Sequence, residues 1–261
     1  MLIRRVSKIM VILTILNYVS ASKSKCIGKK YNIRPKEDNL KIMKRNISNL
    51  DYINFARQPT GGLLENTGET IRITSTYKSK YRPYIQKGPL GDEKYKFEFC
   101  YFHWLDKEWA KEAGLLPFEL HTVFSNTRFG NYEEAARRNF GIVILVMKHA
   151  PTEPKYSNGY YEHLMDVQNP NDAYELEEEE AFALFTILEL GNVFSVYIGK
   201  STVPNTVSCN ADVIWIDYDM VVLIMSHEVK YFKDLMAVGD RPMMNITIPT
   251  TAPTSPIYHS V

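Results

Sequence analysis

His103 and His121 are the side chains whose type and spacing offer chemistry most directly. His103 closes the run Tyr95-Lys-Phe-Glu-Phe-Cys-Tyr-Phe-His-Trp104, and His121 sits within Phe118-Glu-Leu-His-Thr-Val-Phe124. As strands, the first run puts Phe97, Phe99, Tyr101 and His103 on one face and Glu98, Cys100, Phe102 and Trp104 on the other. The second groups Glu119, His121 and Val123. Two inward-facing imidazoles on adjacent strands could hold a metal, and zinc takes imidazole nitrogen at about 2.0–2.1 Å. Taken alone, the pair reads better as core histidines satisfied by hydrogen bonds. The chain has no G-x-G-x-x-G, P-loop, G-x-S-x-G or C-x-x-C to point elsewhere.

The elements that must position these residues are mostly strands. Seventeen Tyr and twelve Phe lean the composition that way. Phe140–Met147 is apolar on both faces, as a central buried strand would be. Val213–Ile224 reads as two strands with a turn or bend near Asp217–Asp219. Short helices are predicted at Tyr132–Arg138 and Val229–Met236, and the Glu177–Glu180 run reads as a solvated surface. No repeat, low-complexity linker or domain boundary interrupts the middle of the chain. The expectation is one β-dominated domain with minor helices.

Charge and termini bound the partners. With 31 Lys+Arg against 30 Asp+Glu, there is no basic excess to neutralise phosphates, so nucleic acid is not an expected partner. Arg4, Arg5 and Lys8 precede the apolar run Ile9–Val19, and Val19-Ser20-Ala21 follows as a small-residue cleavage site. This pattern predicts a secretory signal peptide over residues 1–21. The run falls short of the roughly 20 residues a membrane span needs. The domain is expected over 22–248, and 249–261 as a Thr/Pro-rich flexible tail. Asn46-Ile-Ser48 and Asn245-Ile-Thr247 are N-glycosylation sequons, which suit a secreted, extracellular protein.

Phe99-Cys-Tyr-Phe-His-Trp104 followed by Glu119-Leu-His-Thr-Val-Phe-Ser-Asn126 resembles the core of the α-class carbonic anhydrases, whose pattern is Q-F-H-F-H-W and then E-L-H-L-V-H-W-N. The likeness extends outward through Lys87-Gly-Pro-Leu90, Tyr132-Glu-Glu-Ala135, Tyr197-Ile-Gly-Lys-Ser-Thr-Val-Pro204, Asp212-Val-Ile-Trp215 and Arg241-Pro242. It implies a mainly β, single-domain fold with a large, twisted, mostly antiparallel central sheet and short surface helices. It also implies a zinc on three His from two neighbouring strands, with a fourth position for the water that attacks carbon dioxide. His103 and His121 fall on the second and third ligand positions. Tyr101 stands at the first.

The resemblance assigns further roles. Glu119 matches the carboxylate that orients the third His. Thr202 matches the gatekeeper Thr, and Glu108 the carboxylate that accepts from it. Val123, Ile142 and Trp215 would line the apolar carbon dioxide pocket. Cys26 and Cys209 match the disulfide pair of the secreted branch, while Cys100 reads as a buried structural thiol. Other positions depart from the pattern. Glu69 replaces the proton-shuttling His, the loop between Trp104 and Glu108 is about five residues short, and Thr202-Val-Pro-Asn205 replaces T-T-P-P.

Tyr101 weighs most on function. A phenol with a pKa near 10 lies about 3 units above pH 7, so forming the phenolate without metal costs roughly 4 kcal/mol. As a ligand it would add negative charge and make zinc a weaker Lewis acid. Without it, two His and solvent are too few for a tight site. Two readings follow. One is a secreted carbonic-anhydrase-related protein with little or no hydration activity, using the scaffold to bind an extracellular protein or glycan. The alternative is a zinc-dependent lyase acting on carbon dioxide and bicarbonate with an altered ligand set.

Overall fold

The computed structural model describes residues 42–44, 49–152, 161–188, 193–200, 211–245 and 257–259. In chain order the strands are β1 (Ile42–Lys44), β2 (Leu50–Ile53), β3 (Gly61–Asn66), β4 (Ile71–Thr76), β5 (Tyr84–Lys87), β6 (Tyr95–Trp104) and β7 (Phe118–Asn126). They continue as β8 (Ile142–Thr152), β9 (Ala173–Leu176), β10 (Phe194–Lys200), β11 (Asp212–Met225), β12 (Met236–Ala237), β13 (Arg241–Pro242) and β14 (Ile257–His259). Short helices punctuate them: α1 (Lys107–Glu112), α2 (Tyr132–Ala136), α3 (Leu184–Ile187) and α4 (Val229–Lys233). Among the described residues twelve strands form one sheet, ordered β1-β14-β10-β11-β8-β7-β6-β4-β3-β9, with β2 and β5 continuing from β6. Only β1–β14 and β8–β11 pair in parallel. The expected mainly β, mostly antiparallel sheet is what the chain forms.

The alternation in β6 and β7 sorts side chains onto two faces of unequal size. Cys100, Phe102, Trp104, Phe118, Leu120 and Phe124 join the large core. Phe99, Tyr101 and Val123 join a smaller cluster with Ala135, Ile142, Ile144, Val146 and Trp215. β8 lies between β7 and β11, and Ile142–Val146 is buried on both faces, which explains its unbroken apolar run.

Two details differ from simple alternation. The β6–β7 register shifts between Phe97 and Phe99. The extra residue, Glu98, puts Phe97 on the large-core side rather than with Tyr101 and His103. Arg82 Nη2 donates to Glu98 at 2.5 Å, and Ser125 Oγ also donates to it, which holds the bulge. Val213–Ile224 lies within a single strand, not two. The anticipated bend is a bulge between Asp217 and Val221, after which β11 regains the same partner strand, β8.

The helices begin where expected and end early. α2 stops at Ala136 and α4 at Lys233. Asn131 caps α2 by accepting from Glu134 N–H at 2.8 Å. The strand expected from Phe140 begins instead at Ile142, because Phe140 has a positive φ of 59°. The following Gly141 fits only as glycine, since a Cβ there would stand 2.0 Å from the Ala135 carbonyl oxygen. This contact seats α2 against the start of β8. Gly141→Ala is therefore expected to destabilise the protein by about 3 kcal/mol, the upper end of overpacking costs. Denaturant unfolding checks this, and an unchanged midpoint would refute the close approach.

Candidate functional site

The antiparallel register of β6 and β7 builds the site. Tyr101 stands opposite His121, and His103 opposite Glu119. All four side chains project to the face of the smaller cluster, and their exposures are 1%, 1%, 0% and 1%. The His103 and His121 rings stack, with centroids 4.7 Å apart and planes 9° from parallel. Trp215 meets His121 edge-on at 5.5 Å. Val123, Ile142 and Trp215 lie together in this cluster with Tyr101.

A chain of hydrogen bonds runs through His121. Its Nε2 is 3.2 Å from Glu119 Oε2, and its Nδ1 is 3.0 Å from Tyr101 Oη. A carboxylate can only accept, so Nε2–H donates to Glu119. In the neutral ring this leaves a lone pair on Nδ1, and the Tyr101 hydroxyl donates to it. Phenol, imidazole and carboxylate thus line up as a nucleophile, its base and an orienting group do in hydrolases. All three side chains are buried.

The donor set does not fit a three-imidazole metal site. Among the described residues no three His, Cys, Asp or Glu side chains are grouped to hold a metal ion. Two ligands of a tetrahedral zinc would stand about 3.3 Å apart at ordinary bond lengths. The 3.0 Å between Tyr101 Oη and His121 Nδ1 is a hydrogen-bond distance, and a cation on that nitrogen must displace the phenolic proton.

The structure locates other sequence-derived residues as follows. Glu108, the carboxylate expected to accept from Thr202, is exposed in the first turn of α1, outside the buried cluster. α1 starts at Lys107 and carries Glu108 at the surface. Asn245 is exposed, and Lys107 Nζ donates to its Oδ1. Thr202, Cys26, Cys209, Asn46, the predicted leader over 1–21 and residues 249–256 and 260–261 of the expected flexible tail lie outside the described residues, whereas Ile257–His259 of that tail forms β14 and pairs with β1 and β10. Cys100 is a free thiol on the large-core face, its ionisation pushed up to about 12 by burial.

Two neighbours of the site carry no local motif. Arg72 on β4 pairs in register with Tyr101, and its guanidinium lies 4.0 Å from the Phe99 ring centroid. Lys148 on β8 faces Glu119 in register and forms an ion pair with Asp217 at 2.5 Å. Only strand register across the sheet reveals them.

The comparisons with known proteins agree with this architecture. The model of the eukaryotic-type carbonic anhydrase family matches residues 32–252. This chain belongs to that family. It is also similar to carbonic anhydrase 15 of Mus musculus, with 23% identity over 184 residues that cover 68% of this chain and 56% of the relative. The chain thus spans little more than half the length of that carbonic anhydrase.

His149, a further histidine close in sequence to the site strands, cannot replace the missing ligand. It follows Lys148 on β8, and so points to the opposite face, where it packs 5.4 Å from Phe118 and 6.4 Å from Phe102. Burial lowers its pKa from 6.5 to about 3, against a smaller upward pull from Glu119. The unfolded chain then binds a proton that the folded chain refuses. Stability should fall as pH drops from about 6.5 towards 3, by up to about 1.4 kcal/mol per unit. Thermal melts of wild type and His149→Leu across this window should show a flatter acid limb for the variant. Parallel limbs would refute this origin.

Proposed function

We propose that this member of the carbonic anhydrase family is a secreted binding protein with little or no carbon dioxide hydration. The observation that carries the reading is the Tyr101 hydroxyl on Nδ1 of His121. That contact engages one of the two remaining imidazoles, and Tyr101 itself replaces the third. A site of this composition holds zinc weakly, because zinc sites draw on three or four protein ligands. Family membership does not restore an activity when the residues of the site change. Export is supported by the leader pattern over residues 1–21 and by the sequons at Asn46 and Asn245. In that compartment Cys26 and Cys209 would pair. The partner is an extracellular protein or glycan, and no helix among the described residues is long and apolar enough to cross a membrane.

A zinc enzyme with an altered ligand set is the second reading, favoured by the retained grouping of His103, His121 and Glu119. Protein purified without added metal should contain well under one zinc per chain and leave stopped-flow carbon dioxide hydration at the buffer rate. One tightly held zinc per chain, lost in His103→Ala, with rapid turnover would establish the enzyme instead. Tyr101→His should bind zinc near stoichiometrically, because residues 101 and 103 project to one face. Hydration by that variant should rise above wild type and increase with added imidazole, since Glu69 replaces the shuttling His.

A further inference from the structure

We propose that Tyr101 is a metal-excluding residue: its hydroxyl takes the place of a cation on Nδ1 of His121 and joins β6 to β7 through that bond. This deepens the metal-poor reading above and rests on it. This differs from the idea that Tyr101 is a phenolate ligand. As a ligand, Tyr101 would have lost its proton and would help bind a cation. As an excluder it keeps the proton, donates a hydrogen bond to Nδ1 across 3.0 Å, and competes with any cation for that lone pair.

The surroundings favour the proton. Tyr101 is 1% exposed, and its ring lies 5.1 Å from His121 at 75° and 6.4 Å from Phe99. Burial among aromatic rings disfavours a charged phenolate. Glu119 fixes the imidazole from the other side, so that Nδ1 is the nitrogen presented to residue 101. The direct register of Tyr101 against His121 makes the bond a cross-strand tie.

The two ideas give opposite signs for one substitution. Tyr101→Phe keeps the ring and removes the hydroxyl. If Tyr101 excludes metal, Nδ1 is released, and zinc should bind the variant about 3- to 10-fold more tightly than wild type, the worth of one neutral hydrogen bond. The metal-free variant should also melt several degrees lower. Zinc titration against a chromophoric chelator reads the first effect, and calorimetry reads the second. Equal or weaker zinc binding, or an unchanged melting temperature, would overturn the proposal. Nitrogen NMR of wild-type His121 provides an arm that needs no variant. A proton on Nε2 with Nδ1 accepting supports the proposal, and a proton on Nδ1 overturns it. Hydration assays of the same wild-type sample keep the questions separate: an inactive wild type with weaker zinc binding in Tyr101→Phe would remove the excluder and leave the silent-scaffold reading standing.

Discussion

The antiparallel register between β6 and β7 is the constraint on which the rest of the site depends. It sets Tyr101 against His121 and His103 against Glu119, and it puts all four on one face. A slip of one residue would move every one of them to the other side of the sheet. The register is held from both directions. Phe102, Trp104 and Phe118 pack into the large core beneath, and the bulge at Glu98 is fixed by Arg82 and Ser125. The site is therefore a by-product of a sheet stabilised elsewhere.

That division of labour explains how a metal-binding constellation could be altered without loss of the fold. Phe118 stacks on Phe232 at 4.2 Å, and Phe102 meets Phe232 at 5.0 Å, both on the face away from Tyr101. The smaller cluster adds apolar contacts from Val123, Ile144, Val146 and Trp215. None of these contacts requires a cation.

Much of this was legible in the sequence because period-2 alternation and the spacing of His103, Glu119 and His121 are local facts. They place the residues on strands and assign their faces, and the family pattern supplies the pairing. The illegible parts are non-local. Nothing in Phe97-Glu-Phe99 announces the bulge, which depends on Ser125 of β7 and on Arg82 just before β5. The acidic pair Asp217 and Asp219 looks like a turn. It is accommodated within one strand because Lys148 on β8 binds Asp217 and because two residues bulge out of register. Glu108 was assigned by spacing along the family pattern. Glu108 lies exposed in the first turn of α1, which spacing alone does not reveal.

Residue 101 must meet two demands in this buried cluster, and they narrow the choice of side chain. It must fill the space between Phe99, His121 and the β7 backbone, because an empty site of aromatic size would cost about 3–5 kcal/mol. It must also offer a hydrogen-bond donor to Nδ1 of His121, since Glu119 leaves that nitrogen with a buried lone pair, and a buried acceptor without a partner costs about 1–3 kcal/mol. Leucine or phenylalanine meets the first demand only, and serine the second only. A histidine without a metal would meet Nδ1 with a smaller ring and bring a second ring nitrogen that itself needs a partner. Tyrosine satisfies both with one neutral group. Its presence opposite His121 is therefore a stable solution for this sheet.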